Sequence, residues 1–283
     1  MIFGPTMAQA LVTITIPTFN SEATLRSTLE AVRAQTHPSI EVSVIDSESQ
    51  DATRGIAEEF GADVHVTTTK LMGARRIGAL QARGDFVLLL DSDQVLEPDA
   101  VERAVRMCDD DGMDMLFLEE HSLDPTTWLE KLFDLDRALI HSTFQADSVM
   151  GVLLPRFFRT VLLQRALEPI PEFEVQHCIA QDHAIIFYEA AKISTKVALL
   201  PHAVFHREPA NLTTLARKNF RYGRGTALIK QFKPEYQEMF SKKTRLRRFE
   251  RGHLKEYAAS TTILLIKGVP FFLGKYLPSP RPR

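Results

Sequence analysis

The chain has 283 residues, 45% of them hydrophobic, which is enough for one large core plus an appendage and excludes a disordered or fibrous protein. Its formal charge of -2 conceals a polarity: residues 211–283 carry 17 Lys/Arg against 4 Asp/Glu, leaving 17 against 32 in residues 1–210. Two cysteines offer neither a disulfide framework nor a zinc motif and point to a reducing compartment.

Residues 1–10 lack the basic start and apolar run of a signal peptide and are expected to be a loose tail. From there, "VTITIP" (12–17), "EVSVID" (41–46), "DVHVT" (63–67) and "FVLLLD" (86–91) have the β-branched and aliphatic content of strands. Between them, 22–35, 51–60 and 73–82 carry helical spacing; Leu25, Leu29 and Val32 recur at i, i+4 and i+7. Strand and helix in alternation predict a parallel sheet flanked by helices, with ligands beyond the carboxyl ends of the strands. Four such ends then converge: Pro17-Thr18-Phe19-Asn20, residues 46–51, residues 67–70, and Asp91-Ser92-Asp93. If the backbone stays extended, Asp91 and Asp93 point the same way and offer hard oxygen ligands to Mg2+ or Mn2+ carrying a diphosphate.

Further along, Trp128 is expected to pack a helix against the sheet, and Asp109-Asp110-Asp111 to form a solvated loop. Residues 211–225, "NLTTLARKNFRYGRG", read as a basic amphipathic helix. They are followed by "KKTRLRRFERGHLK" and an apolar stretch from Ala258 to Leu277. Lys267, Gly268, Pro270, Gly274 and Lys275 interrupt that stretch, so a pair of interfacial helices is expected rather than a membrane crossing. Basic residues beside an apolar face predict attraction to an anionic membrane surface or a phosphate-bearing lipid, with Arg221 and Arg224 as phosphate contacts. No recognition motif or aromatic platform supports nucleic acid as a partner.

In order along residues 11–225, the segments "ITIPTFNSEATL", "VIDSESQDAT", "LMGARRIGALQARGDFVLLLDSD" and "AQDHAIIFYEA" resemble those of the family 2 glycosyltransferases with a GT-A fold. The resemblance implies an α/β, Rossmann-like catalytic domain over 11–225, while the basic and apolar pattern beyond it predicts 226–283 to be a basic amphipathic helical, membrane-associating extension. It implies a nucleotide site at Pro17, Thr18, Phe19, Asn20, Glu22, Asp46, Ser49, Lys70, Gly73, Arg75 and Arg76, with Asp46 at the base, Asp51 capping the next helix and an arginine on the diphosphate. Asp91, Ser92 and Asp93 would hold donor and metal. His206 resembles the family's C-terminal metal-site histidine, with His202 competing for the role. Asp182 would be the catalytic base beside Gln181, which stands where the family often has Glu, as Arg76 stands where it often has Asn.

These features predict transfer of a hexose, with inversion, from GDP-mannose or UDP-glucose to a lipid-linked or glycolipid acceptor. The enzyme would need Mn2+ or Mg2+ and would lie peripherally on the cytoplasmic face of a membrane. Two alternatives are a nucleotidyltransferase, which would normally have a glycine-rich phosphate loop where "IPTFNSEATL" has none, and a silent nucleotide-sugar or membrane-binding protein.

Overall fold

The computed structural model describes residues 9–142, 154–241 and 251–277. Strand and helix alternate first, as β1 (Val12–Thr18), α1 (Glu22–Arg33), β2 (Ile40–Asp46), α2 (Thr53–Glu59), β3 (Asp63–Val66), α3 (Leu71–Gln81) and β4 (Phe86–Leu89). Next come β5 (Gln94–Leu96), α4 (Ala100–Asp110), β6 (Met115–Ser122), α5 (Trp128–Ser142), β7 (Pro155–Arg159), α6 (Thr160–Leu167), α7 (Glu172–His177) and α8 (Asp182–Ala191). The last elements are β8 (Val197–His206), α9 (Leu212–Ala227), α10 (Pro234–Ser241) and α11 (Leu254–Tyr276).

The strands form one eight-stranded sheet in the order β3-β2-β1-β4-β7-β6-β8-β5. The first four strands by sequence run parallel, as expected. β7 then inserts antiparallel between β4 and β6. β6 and β8 pair in parallel, and β5 closes the far edge antiparallel to β8. Helices cover both faces, so β1 is buried along its whole length and the alternation of a half-exposed strand is absent. One core packs Phe117, Phe158, Ile185 and Phe187 beneath α6 and α8, and the other packs Leu25, Leu29, Leu88 and Phe157 beneath α1 and α4. Each such side chain contributes roughly 1.5–3 kcal/mol when fully buried. Cys108 and Cys178 are unpaired within these cores, where burial raises each thiol to about 12 and leaves it a small apolar group.

Two close approaches set the position of the site. α3 lies on β1 at Gly78, where an added Cβ would stand 2.1 Å from Thr15 Oγ1. α9 and α11 cross at Gly223 and Gly274, each with its Cα facing the other helix's backbone; a Cβ on either would meet a carbonyl oxygen at 2.0 Å. α11 is a single helix with Pro270 inside it, which corrects the expected helix pair. Ala259, Ser260, Ile263 and Gly274 bury one face of it, and that packing against α9 and α5 outweighs the lost backbone bond at the proline. Trp128 is 57% exposed, so it does not do the packing expected of it. The acidic residues 109–111 are solvated, two of them in the last turn of α4.

Candidate active site

The loops after β1 and β2 are stitched together by hydroxyls and amides. Asp46 is wholly buried and accepts from Thr18 Oγ1 at 2.8 Å, from Ser49 N at 2.8 Å and from Ser49 Oγ at 2.5 Å. Ser49 Oγ in turn accepts from the backbone N–H of Asn20, and Asn20 Oδ1 accepts from that of Gln50. Glu22 and Asp51 exchange places at the helix starts: Glu22 N donates to Asp51 Oδ2, and Ala52 N donates to Glu22 Oε2. Asp51 also accepts from Thr53 N, as a capping residue should. Thr18, Asp46 and Ser49 therefore brace the loops, contrary to the direct nucleotide contacts expected of them. Phe19 and Asn20 stand exposed at the rim, Asn20 with φ of 50°. Lys70 is exposed at the start of α3, and Gly73 admits the Thr69 side chain, which an added Cβ would meet at 2.5 Å. Arg76 is partly exposed and faces Glu172 at 3.3 Å.

β4 ends at Leu89, and Asp91, Ser92 and Asp93 lie in a turn closed by Asp91 N donating to Gln94 Oε1 and Gln94 N donating to Asp91 O. The extended backbone expected there is absent, and the two carboxylates part company. Asp91 turns inward, to Arg75 and to Arg156 Nη1 at 2.9 Å. Asp93 turns outward, 3.5 Å from His206 Nε2 and 3.8 Å from Lys218 Nζ. Ser92 Oγ bonds Ser21 and its carbonyl accepts from Thr28, which ties the turn to α1.

Behind the turn, opposite charges alternate without a break. Asp182 accepts from Arg75 Nε at 2.5 Å, and Arg75 continues to Asp91. Asp91 leads to Arg156, which donates to Glu120 at 2.9 Å. Glu120 is also held by Arg137 at 2.5 Å, and Arg137 donates to Glu208 at 2.5 Å. His206 Nδ1 lies 3.6 Å from Glu208 and its Nε2 faces Asp93. Arg75 is 1% exposed, so the bidentate diphosphate contact expected of it is replaced by a bridge between Asp182 and Asp91. Burial alone would raise these carboxyl groups; the arginines overcome it and hold Asp91 and Glu120 well below the usual carboxylate range. Glu208 is pulled down to about 2 against the cost of burial, by His206 and Arg137. Asp182 is also lowered, because Arg75 and His183 outweigh its burial. His183, bonded to Arg156 at 3.1 Å, is pushed down to about 3 by burial and the two arginines and is neutral.

A cavity of about 300 Å³ opens from this charged wall. Asp91, His206, Glu208 and Lys218 line it together with Phe133, Leu215, Ile263, Leu264 and Lys267. On α9 it is Leu215, Lys218, Asn219 and Tyr222, at i, i+3, i+4 and i+7, that face the cavity. Arg221 and Arg224, the phosphate contacts expected from sequence, do not line it. Burial would lower Lys218, but Tyr222, Asp93 and Asp91 raise it, so it is charged. Gln181 donates to Thr226 Oγ1 at 3.2 Å, joining the start of α8 to α9. The sequence reading missed Glu120, Arg137, Arg156, Glu208 and Lys218; only the phase of α9 could have singled out Lys218 over its neighbours.

Carboxylates and a histidine at the strand mouths of this sheet order define the GT-A glycosyltransferase fold, and a solved structure agrees. The mannosyltransferase PcManGT from Pyrobaculum calidifontis, in complex with GDP-Man and Mn2+, superimposes with a TM-score of 0.54 over 97% of this chain and 77% of its own, at 16% identity. Residues 13–137 match Glycosyl transferase family 2. Among curated relatives, the succinoglycan biosynthesis protein ExoO of Rhizobium meliloti is 27% identical over 73% of this chain. The UDP-Glc:alpha-D-GlcNAc-diphosphoundecaprenol beta-1,3-glucosyltransferase WfgD of Escherichia coli is 31% identical over 36%. The chain spans 63% of ExoO and 42% of WfgD, less than two thirds of either.

Proposed function

We propose that the protein transfers a hexosyl group from a nucleotide-diphosphate sugar to a lipid-linked acceptor at an anionic membrane surface. The observation that carries this reading is one cavity lined both by Asp91, His206 and Lys218 and by Phe133, Leu215, Ile263 and Leu264. A saccharide on a diphosphate lipid has the same two-sided chemistry, and WfgD, which acts on one by name, supports it. The donors to try are UDP-glucose and GDP-mannose, the first from the name of WfgD and the second bound in the PcManGT structure.

The donor nucleotide would stack at the rim of Phe19 and Asn20, with Arg76 and Lys70 facing its phosphates. Asp93 and His206 fit a divalent cation: an oxygen and a nitrogen donor, Asp93 Oδ2 and His206 Nε2, stand 3.5 Å apart, and His206 lines the cavity. Bound there, Mn2+ or Mg2+ would supply positive charge against the leaving diphosphate. Arg75 occupies Oδ2 of Asp182, which leaves Oδ1 to accept the proton of the acceptor hydroxyl as its oxygen bonds to the anomeric carbon and the carbon–diphosphate bond breaks, with inversion. Lowered by Arg75, the carboxylate is already ionised at neutral pH.

Residues 226–283 would form the membrane-facing part. α11 is long and apolar enough by length and composition to cross a membrane. An interfacial position suits it better, since one face is buried on α9 and α5 while Leu265, Val269, Phe272, Leu273 and Tyr276 stay exposed on another. The unpaired cysteines suit the cytoplasmic side.

The test is transfer of labelled sugar from each donor, with Mn2+, to a diphosphoprenyl-linked hexosamine in anionic vesicles. One donor should support transfer. Asp182→Asn should lower kcat by about 10²–10⁴-fold while donor affinity changes little. Undiminished transfer by that variant would remove Asp182 from the chemistry, and failure of every acceptor carrying a lipid would remove the lipid.

A further inference from the structure

β6 and β8 lose register between Leu118 and Glu120: Leu118 pairs with Leu200 and Glu120 with Val204, so Glu119 alone stands opposite residues 201–203. The extra residues form a bulge, a device that re-aims a side chain. His202, at its centre, has φ of 45°, a conformation costly for a residue other than glycine. Two contacts clamp it there. Its N–H donates to Glu119 Oε2 at 2.6 Å, and Arg103 donates to the carbonyls of Pro201 and His202 at 2.7 Å each. The result is that the His202 ring lies parallel to that of His121, with centroids 5.1 Å apart and planes 7° from parallel.

We propose that Glu119, His121 and His202 form a second metal site, for a transition ion of the Zn2+ type, distinct from the centre at Asp93 and His206. One ligand atom from each residue lies within 4.8 Å of the other two. Glu119 Oε2 is 3.6 Å from His121 Nε2 and 3.9 Å from His202 Nδ1. With bonds of about 2.0–2.2 Å, neighbouring ligand atoms of a tetrahedral ion stand roughly 3.3 Å apart, so Glu119 is already near that spacing from each imidazole, and the two imidazole nitrogens, within 4.8 Å of each other, would draw together on the ion. His121 Nε2 is buried and has no hydrogen-bond partner, which is the state of a ligand nitrogen whose partner is an ion. The His202 side chain is 75% exposed, which gives the ion an entry from solvent and leaves room for water to complete its shell. Two imidazoles and one carboxylate select Zn2+ over Mg2+.

The two centres are separated by the alternation of β6. Glu120, between the two ligands on that strand, turns to Arg137 and Arg156, while its neighbours turn to His202. The ion would fasten the bulge from which β8 runs on to His206, acting on the frame of the site and touching no substrate.

The experiment uses the full-length protein freed of metal by a chelator and titrated with Zn2+, and with Co2+ for its visible absorption. Wild type should bind Zn2+ with a rise in Tm, and the Co2+ spectrum should be that of a four-coordinate ion. Asp93→Asn should keep both. His202→Gly folds readily, because glycine accepts the positive φ, and should weaken Zn2+ binding by more than the 10–100-fold typical of losing an outer partner. His121→Gln should do the same. Unchanged Zn2+ affinity in His202→Gly would overturn the site, and so would loss of all Zn2+ binding in Asp93→Asn.

Discussion

Between β1 and β2 the candidate site is held by neutral donors closing on single carboxylates, with Asp46 gathering Thr18 and Ser49, and Asp51 gathering Thr53 and Glu22. Between α3, β6 and α9 it is held by full charges in alternation, from Asp182 through Arg75, Asp91, Arg156, Glu120 and Arg137 to Glu208. The first kind of frame can lose one bond and keep the rest, since each hydrogen bond contributes about 1 kcal/mol net. The second is costlier to break, because removing one charge leaves a buried neighbour short of a charged partner, as Asp182 would be without Arg75.

The sharpest way to break that contrast is Arg75→Met. It strips Asp182 and Asp91 of a shared partner and should cost about 3–5 kcal/mol in denaturant unfolding. In a double-mutant cycle with Asp182→Asn the losses should be strongly non-additive; additive losses would mean that the charges act independently.

A smaller effect should appear with acid. His183 is held near 3 in the folded chain against an ordinary 6.5, so the unfolded chain takes up the proton first. Its contribution to stability is therefore complete above about pH 6.5 and is lost as pH falls toward 3, on the order of 3 kcal/mol by pH 4. The depressed carboxylates add their own loss only below their ordinary values; Glu208, at about 2 against 4.5, loses its share between those two pH values. Thermal melts of His183→Gln should decline less steeply between pH 6.5 and 4.5 than those of the wild type, the remaining slope coming from His141, which burial also lowers. An unchanged slope would place the acid sensitivity elsewhere.

The smallest effect belongs to the other frame. Ser49→Ala removes the bonds from Ser49 Oγ to Asp46 and from Asn20 N to Ser49 Oγ, and should cost about 1–2 kcal/mol with the charged wall untouched. A loss as large as that of Arg75→Met would erase the distinction between the two frames.

The sequence by itself determined the parallel first half of the sheet, because apolar runs and helical spacing are local patterns that survive burial on both faces. It also determined that Asp91, Asp93, Asp182 and His206 stand at element ends, where polar residues interrupt apolar ones. What those residues touch was decided by tertiary structure. Arg75 reaches Asp182 across 107 positions and Asp91 across 16, so no local spacing exposes the bridge. Arg156, within a short strand, and Glu120, mid-strand, read as ordinary members of their elements until β7 inserts beside β4. The choice of Lys218 over Arg221 and Arg224 depends on the rotation of α9, which Gly223 sets by meeting α11 at Gly274. The backbone of His202 was equally hidden, because a bulge exists only once β6 and β8 pair. Composition records which charges a chain has; only packing decides which of them lose water, and that loss turns an ordinary arginine into a bridge.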